Sequence, residues 1–439
     1  MISVDSDPAD AGRHSFRKTV LVFPCGSEIG LEIHRALRFS RHFELIGASS
    51  THSNHGRYVF DRYIDGLPFV SSPGFVDALN CVIDEQAVDF VFPAHDQVVL
   101  ALAEQACRLR AQYVGSPVVT CRICRSKRAT YEYFSGRIRV PRLFGPDIPA
   151  AIYPVFLKPD VGQGSKGVHT AYTQEEVSFY TDRDRALLVL EHIPGQEYTV
   201  DCLTDRFRRL VFVGARERIR VSNGISVDTA PVVGEEYRTM AKAINSTLHL
   251  RGAWFFQAKR ATGGELTLLE IGPRVSGSMA LYRNLGINYE ALTLFDLMNK
   301  EIEILQNRYS IRMDRALTNR FCLELQYENV YIDLDDSIID NGRVNPLVVA
   351  FLYQCRNRGI RLHLVSRHLG ELRATLRCFA LEQLFDTVAQ VPPESCKSEY
   401  ISEPGAIFVD DSFAERKAVH ARLGIPTFAI DAVESLIHV

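Results

Sequence analysis

No apolar run in this 439-residue chain reaches the length of about eighteen that a membrane-crossing helix needs. Residues 1–17 carry both charge signs and no apolar core, so they do not read as a secretory signal; a frayed tail is expected there. An excess of one charge is missing too. The net charge of −3 gives no reason to expect nucleic acid or an anionic membrane as partner. Cysteine is sparse and scattered, ten in all, which argues for reduced thiols and a cytoplasmic setting rather than a disulfide framework. Cys121 and Cys124 form a C-x-x-C with no second pair, so they read as buried thiols and not as a zinc site. Two nucleotide signatures are absent: the Walker order G-x-x-x-x-G-K-[ST] and the dinucleotide fingerprint G-x-G-x-x-G. What remains, 46% hydrophobic and 23% charged, is an ordinary globular composition. The length suggests roughly two to four domains.

The most informative stretch is 156–168. Phe156-Leu-Lys158 ends an apolar run; Gly162, Gly164, Ser165, Lys166 and Gly167 follow, and Val168 opens a second run. The pattern predicts strand, flexible loop, strand. Glycines let successive N–H groups approach an anion, and the lysines add charge, so a nucleotide polyphosphate is the natural guest. The other reading is a solvated hairpin tip.

Upstream, apolar runs at 19–24, 43–49 and 88–92 alternate with helical patterns, one carrying Ile29, Ile33, Leu37 and Phe39, another Val76, Leu79 and Ile83. This predicts an open α/β sheet. His95 and Asp96 follow a strand end, where ligands bind in such sheets; Asp96 reads equally as a helix cap. Residues 116–126 read as a transition and 126–134 as a capped helix bearing Lys127. Downstream, a strand ending at Glu191 meets a Pro-Gly turn and Glu197, a cleft edge suited to adenine and ribose. Arg216, Arg218 and Arg220 alternate, which puts them on one strand face, for anion binding or simply exposed. Strands 253–258 and 266–271, joined around Gly263-Gly264, bring Gln257 and Glu270 together as oxygen ligands of the kind Mg²⁺ prefers. Arg274 follows.

Residues 18–305 resemble the ATP-grasp superfamily, in the carboxylate–amine ligase branch that includes the carbamoyl-phosphate-synthetase-like ligases. The resemblance rests on F-L-K-P…G-S-K-G-V, E-H-I-P-G-Q-E-Y-T-V-D and L-E-I-G-P-R-V-S-G-S. It implies that Lys127 and Lys158 contact ATP phosphates under the 162–167 loop, including Gly164, Ser165, Lys166 and Gly167. It also implies an adenine hinge at Glu191 and Ile193, ribose at Glu197, Mg²⁺ at Gln257 and Glu270, and Arg274 at the phosphoryl group or acyl phosphate. One position departs from the family: Gly272 stands where Asn commonly supplies a ligand to a second Mg²⁺.

In the last quarter, Asn329–Asp336 is an apolar run ending in three aspartates, 361–366 ends in Ser366, and 406–411 ends in Asp410-Asp411, with Lys397 between the last two. Clustered carboxylates at a strand end call for a cation. Residues 321–439 resemble the haloacid-dehalogenase-like (HAD) phosphatases. The resemblance implies Asp333 as nucleophile, Asp335 as general acid/base, Ser366 and Lys397 on the phosphoryl oxygens, and Mg²⁺ among Asp333, Asp335, Asp410 and Asp411. The interval from Asp333 to Ser366 leaves room for a helix and a short flap, not a large cap. A decayed, structural copy of that fold is the other reading.

The expected fold class is therefore α/β: an open-sheet domain (18–120), an ATP-grasp domain (121–305), a linker (306–320) and a HAD-like Rossmannoid domain with little or no cap. The expected function is bifunctional. One site joins a small carboxylate to an amine at the expense of ATP with Mg²⁺, and the other removes phosphate from a metabolite of the same pathway. A kinase-like module with an opposing phosphatase, or a nucleotide-binding scaffold, are the competing readings. Related ligases often dimerise, which makes a homodimer compatible with the resemblance.

Overall fold

The computed structural model describes residues 17–145, 147–162, 164, 166–321 and 323–437. Ser165 and all of the expected tail except Arg17 lie outside them. The chain divides into two compact units, one ending at Leu317 and the other beginning at Thr318.

Among the described residues the first unit contains three sheets. In the N-terminal one, strands Lys18–Phe23, Phe43–Ala48, Arg62–Ile64, Phe90–Pro93 and Gln112–Tyr113 are all parallel, with Lys18–Phe23 central. Its strands read as continuous apolar runs because helices cover it, among them Glu28–Leu37, Phe75–Glu85 and Asp96–Glu104. Ser27 caps the first of these by accepting from the Gly30 N–H. Ile33 and Leu37 are fully buried, but Phe39 lies past the helix end and is exposed, contrary to the expected stripe. The expected transition at 116–126 is instead mostly helix, Val118–Arg125, followed directly by helix Lys127–Phe134 with Ser126 as its cap.

Strands Val155–Pro159 and His169–Ala171 pair antiparallel, Leu157 opposite His169, so the 162–167 loop joins them as expected. They belong to a four-stranded sheet with Leu143–Phe144 and Leu187–Glu191. The third sheet is antiparallel, in the order Leu266–Gly272, Gly252–Arg260, Glu197–Thr204, Leu210–Ser222, Ile225–Val232, Met313–Asp314. The last strand falls inside the expected linker. Phe255 and Tyr282 share one apolar core with Val20, Phe43 and Phe92, which ties this sheet to the N-terminal one. Burying side chains of this size contributes roughly 1.5–3 kcal/mol each.

The second unit is a five-stranded parallel sheet in the order Thr387–Gln390, Arg361–Ser366, Asn329–Ile332, Ala406–Val409, Thr427–Phe428. Between Asp333 and Ser366 lie a two-stranded hairpin, Ile339–Asp340 with Arg343–Val344, and helix Pro346–Asn357. That is the short flap and helix the spacing predicted.

Candidate active sites

A cavity of about 320 Å³ opens in the first unit. Its walls come from the start of helix Glu28–Leu37, the strand end at 94–96, the helix pair around Arg125 and Lys127, the glycine loop, and the antiparallel sheet. The hairpin register places Gln257 directly opposite Glu270, and both line the cavity. Neither side chain makes a hydrogen bond or ion pair among the described residues. Two polar groups left open side by side at a cavity wall form a ready oxygen site for a hard cation.

Lys158 is buried beneath this wall. Its Nζ lies 3.5 Å from the Leu269 carbonyl and 5.4 Å from the centre of the Tyr131 ring, with no carboxylate in contact among the described residues. Burial lowers its pKa to about 8, against the pull of Glu270. Lys127, which donates to the carbonyls of Asp160 and Gly162, is lowered by burial as well. A buried cation without a counter-ion is costly, and an incoming polyanion offsets that cost.

Arg274 forms a two-pronged ion pair with Asp96, at 2.6 and 2.8 Å, and its guanidinium lies over the Phe255 ring. Burial alone would raise the Asp96 pKa, but Arg274, with smaller help from Arg125 and His95, holds the carboxyl below its ordinary value. Asp96 is therefore not the helix cap; His95 is, accepting from the Gln97 N–H. Arg216 is fully buried against Asp201, and Arg218 meets Glu197 at 2.9 Å. The expected common face stops there. A bulge after Arg218 turns Arg220 outward, where it pairs with Asp314. Gly272 is tightly enclosed, since a Cβ built there would stand 2.3 Å from Phe255 Cε1. The ring fills the space a side chain at this position would need. Cys121 and Cys124 line the cavity as free thiols, and burial raises the first to about 11 and the second well above its ordinary value.

Residues 183–318 match the model of a family described as "ATP-grasp in the biosynthetic pathway with Ter operon". No curated protein matches the sequence. Among solved structures, biotin carboxylase of Campylobacter jejuni in a β,γ-ATP complex superposes with a TM-score of 0.55 at 14% identity, covering 65% of this chain and 72% of that one. The biotin carboxylase domain dimer of Hydrogenobacter thermophilus 2-oxoglutarate carboxylase, complexed with MgADP, ADP and bicarbonate, gives 0.55 at 14% identity, covering 67% and 72%. L-amino acid ligase of Bacillus licheniformis gives 0.52 at 17%, covering 64% and 74%. The chain contains an ATP-grasp fold. At these identities the likeness is one of fold.

Within the ATP-grasp fold the predicted residues separate. Lys127, Gly164, Lys166, Gln257, Glu270 and Arg274 share the cavity wall. Lys158, Gly167, Glu191, Ile193 and Glu197 are not part of it. Glu191 pairs with Arg139 at 2.7 Å, and Glu197 with Arg218. Glu28 was not foreseen; it lines the cavity and is bound by Arg315 from the far end of the unit. Nothing local to either residue signals that contact. A serine cap one residue before Glu28 was the available hint that a helix begins there.

The second unit gathers Asp333, Asp410 and Asp411 at adjacent strand ends, with one oxygen of each within 4.8 Å of the others. Lys397 is buried between two of them, 2.9 Å from Asp333 and 2.7 Å from Asp410. Burial raises Asp410 to about 6, and also raises Asp333 despite the lysine. Ser366 closes the neighbouring strand and accepts from the His368 N–H. The Asp335 carboxylate is not in this group. It is bonded to His368 Nδ1 at 3.0 Å, while Nε2 of that ring meets Thr375 Oγ1 at 2.8 Å. His368 went unnoticed in the sequence. It follows Ser366 by two residues, and only the return of the Asp335 loop reveals its role.

Proposed function

We propose that the first unit is an ATP-dependent ligase joining a small carboxylate to an amine through an acyl phosphate, and that the second is a phosphohydrolase of the HAD type acting on a phosphorylated metabolite of the same pathway. The observation that carries the first half is the open Gln257–Glu270 pair facing the same cavity as Lys127 and Arg274. Gln257 and Glu270 are the residues that would hold Mg²⁺, which supplies charge neutralisation on the phosphates. With Gly272 enclosed by Phe255, the chain offers no third side-chain ligand at that position.

ATP is the phosphoryl donor in this reading. Lys127 and Lys158 hold its phosphates, and the N–H groups of the 162–167 loop close over them. The acid's carboxylate oxygen attacks the γ-phosphorus, the bond to ADP breaks, and Arg274 faces the charge on the moving group. The amine then attacks the acyl carbon, phosphate leaves, and the amine loses a proton. The chain's main work is positioning and exclusion of water. Glu191 and Ile193 are assigned to the adenine, and Glu197 to the ribose.

In the second unit, Asp333 attacks a phosphoryl group that Ser366 and Lys397 hold, and the bond to the leaving oxygen breaks as Asp335 protonates it. Water, giving a proton back to Asp335, then splits the aspartyl phosphate to release phosphate and regenerate Asp333. Asp333, Asp410 and Asp411 would hold Mg²⁺, and the Asp335 backbone would lie beside it. The carrying observation is the three-carboxylate cluster bridged by a single lysine, whose formal charges sum to a net negative site. A cytoplasmic homodimer with domains at 18–120, 121–305 and 321–439 completes the proposal. Mass spectrometry of products formed from ATP, Mg²⁺ and a pooled metabolite extract tests it. Lys158→Ala should remove only the ligation product, and Asp333→Asn only the dephosphorylated one. Products unchanged in both variants would overturn it.

A further inference from the structure

The cations of the ligase cavity differ in one respect that the reaction alone does not explain. Arg216, Arg218 and Arg274 each have a carboxylate in contact, from Asp201, Glu197 and Asp96 respectively. Their charges are matched before any ligand arrives. Arg125 lines the same cavity, is half-buried, and makes no hydrogen bond or ion pair among the described residues. It is the last residue of helix Val118–Arg125. A cation there is favoured by the helix dipole, which leaves its directional donors unused.

Its charge is felt on two sides. It adds to the burial that lowers the pKa of His95, at a strand end of the N-terminal sheet, and of Lys127 on the opposite flank, and it adds to Arg274 in lowering that of Asp96. Arg125 shares its cavity wall with Lys127, on the side assigned to the phosphates, and with His95 and Asp96, where an α/β sheet presents its ligand edge. A planar fork of N–H donors matches two oxygens of a carboxylate or phosphoryl group better than any single-point ligand. A carboxylate gripped by both oxygens is a weaker nucleophile toward phosphorus, so Arg125 suits a second anionic group better than the one activated.

We propose that Arg125 is a docking residue for a second anionic group, carboxylate or phosphate, on the acid substrate, so that this site selects acids with an anion besides the carboxylate it activates. The inference rests on the ligase reading of the cavity. Calorimetric titration of the full chain saturated with MgADP tests it. The probes are the three- to five-carbon dicarboxylates against their monoamides, and 2-phosphoglycolate against glycolate. The dicarboxylate and phosphate arms identify which anion is preferred. Wild type should bind at least one dianion about tenfold or more tighter than its partner. Arg125→Ala should shrink that ratio to within about threefold with ADP affinity unchanged, and Arg125→Lys should recover part of it. No preference in wild type, a ratio unchanged in Arg125→Ala, or a parallel loss of ADP affinity that would make Arg125 a phosphate-tail residue, would each overturn the inference. Failure of the ligase reading is seen separately, as no ADP released from ATP with any acid–amine pair.

Discussion

Lys397→Met is the sharpest perturbation of the second unit. The lysine is 3% exposed and lies 2.9 Å from Asp333 and 2.7 Å from Asp410, themselves 8% and 0% exposed. Methionine keeps the apolar stem and removes the charge. Removing one partner of a buried ion pair typically costs about 3–5 kcal/mol, because the remaining charge stays buried. Here two carboxylates are left facing each other, so the upper part of that range is expected at pH 8. Asp410 already titrates near 6 in the fold, against about 3.9 in an unfolded chain. A carboxyl with a raised folded pKa leaves stability intact below its unfolded value and removes it as pH rises through the folded one. The variant should therefore recover on acidification. Near pH 5 its deficit should fall to roughly 1–3 kcal/mol, the ordinary penalty for an unpaired buried polar group. Hydrogen exchange of the full chain, followed at strand Ala406–Val409, reads this local opening energy at each pH. Added Mg²⁺ should restore protection in the variant more than in wild type. A deficit below about 1 kcal/mol that does not change between pH 5 and 8 would refute the reasoning, since it would mean that the carboxylates are not confined together.

Gly272→Asn should not create a second metal ligand. Its Cβ would stand 2.3–2.4 Å from the Phe255 ring, so a loss of about 1–3 kcal/mol in urea unfolding is expected with no gain in Mg²⁺ affinity. Asp96→Asn should leave Arg274 without its counter-charge, at a cost of about 1.5–3 kcal/mol near neutral pH. Because Arg274 lowers the folded pKa of Asp96, the pair's contribution is present above the unfolded value and fades as pH falls through the folded one. The stability gap between wild type and variant should therefore narrow under acid. A gap that is constant down to pH 2 in chemical unfolding would contradict this pairing.

Local pattern carried much of the fold. The continuous apolar runs at 19–24 and 88–92 became the parallel strands Lys18–Phe23 and Phe90–Pro93. The turn at Gly263-Gly264 joined the two strands that carry Gln257 and Glu270, but it is a bulge at Leu269, invisible in the pattern, that puts those two side chains opposite one another. The strand-end aspartates at 333, 410 and 411 met because the sheet order places their strands side by side. Helix Val118–Arg125 was hidden by Arg122 and Arg125, whose charge masks the short buried face of Thr120, Cys121 and Cys124. The arginine stripe failed at a bulge, which changes facing without changing the alternation seen in the chain. The Asp96–Arg274 and Glu28–Arg315 pairs join residues far apart in sequence and leave no periodic trace.

The central claim, that the open Gln257–Glu270 pair serves phosphoryl transfer to an acid, is tested most directly by ADP formation in the full chain with ATP and Mg²⁺. Acids and amines are supplied separately and together. Sustained release only when both are present, lost in Glu270→Gln, is the predicted result. Release that proceeds equally without acid or amine, or that survives Glu270→Gln undiminished, would contradict it.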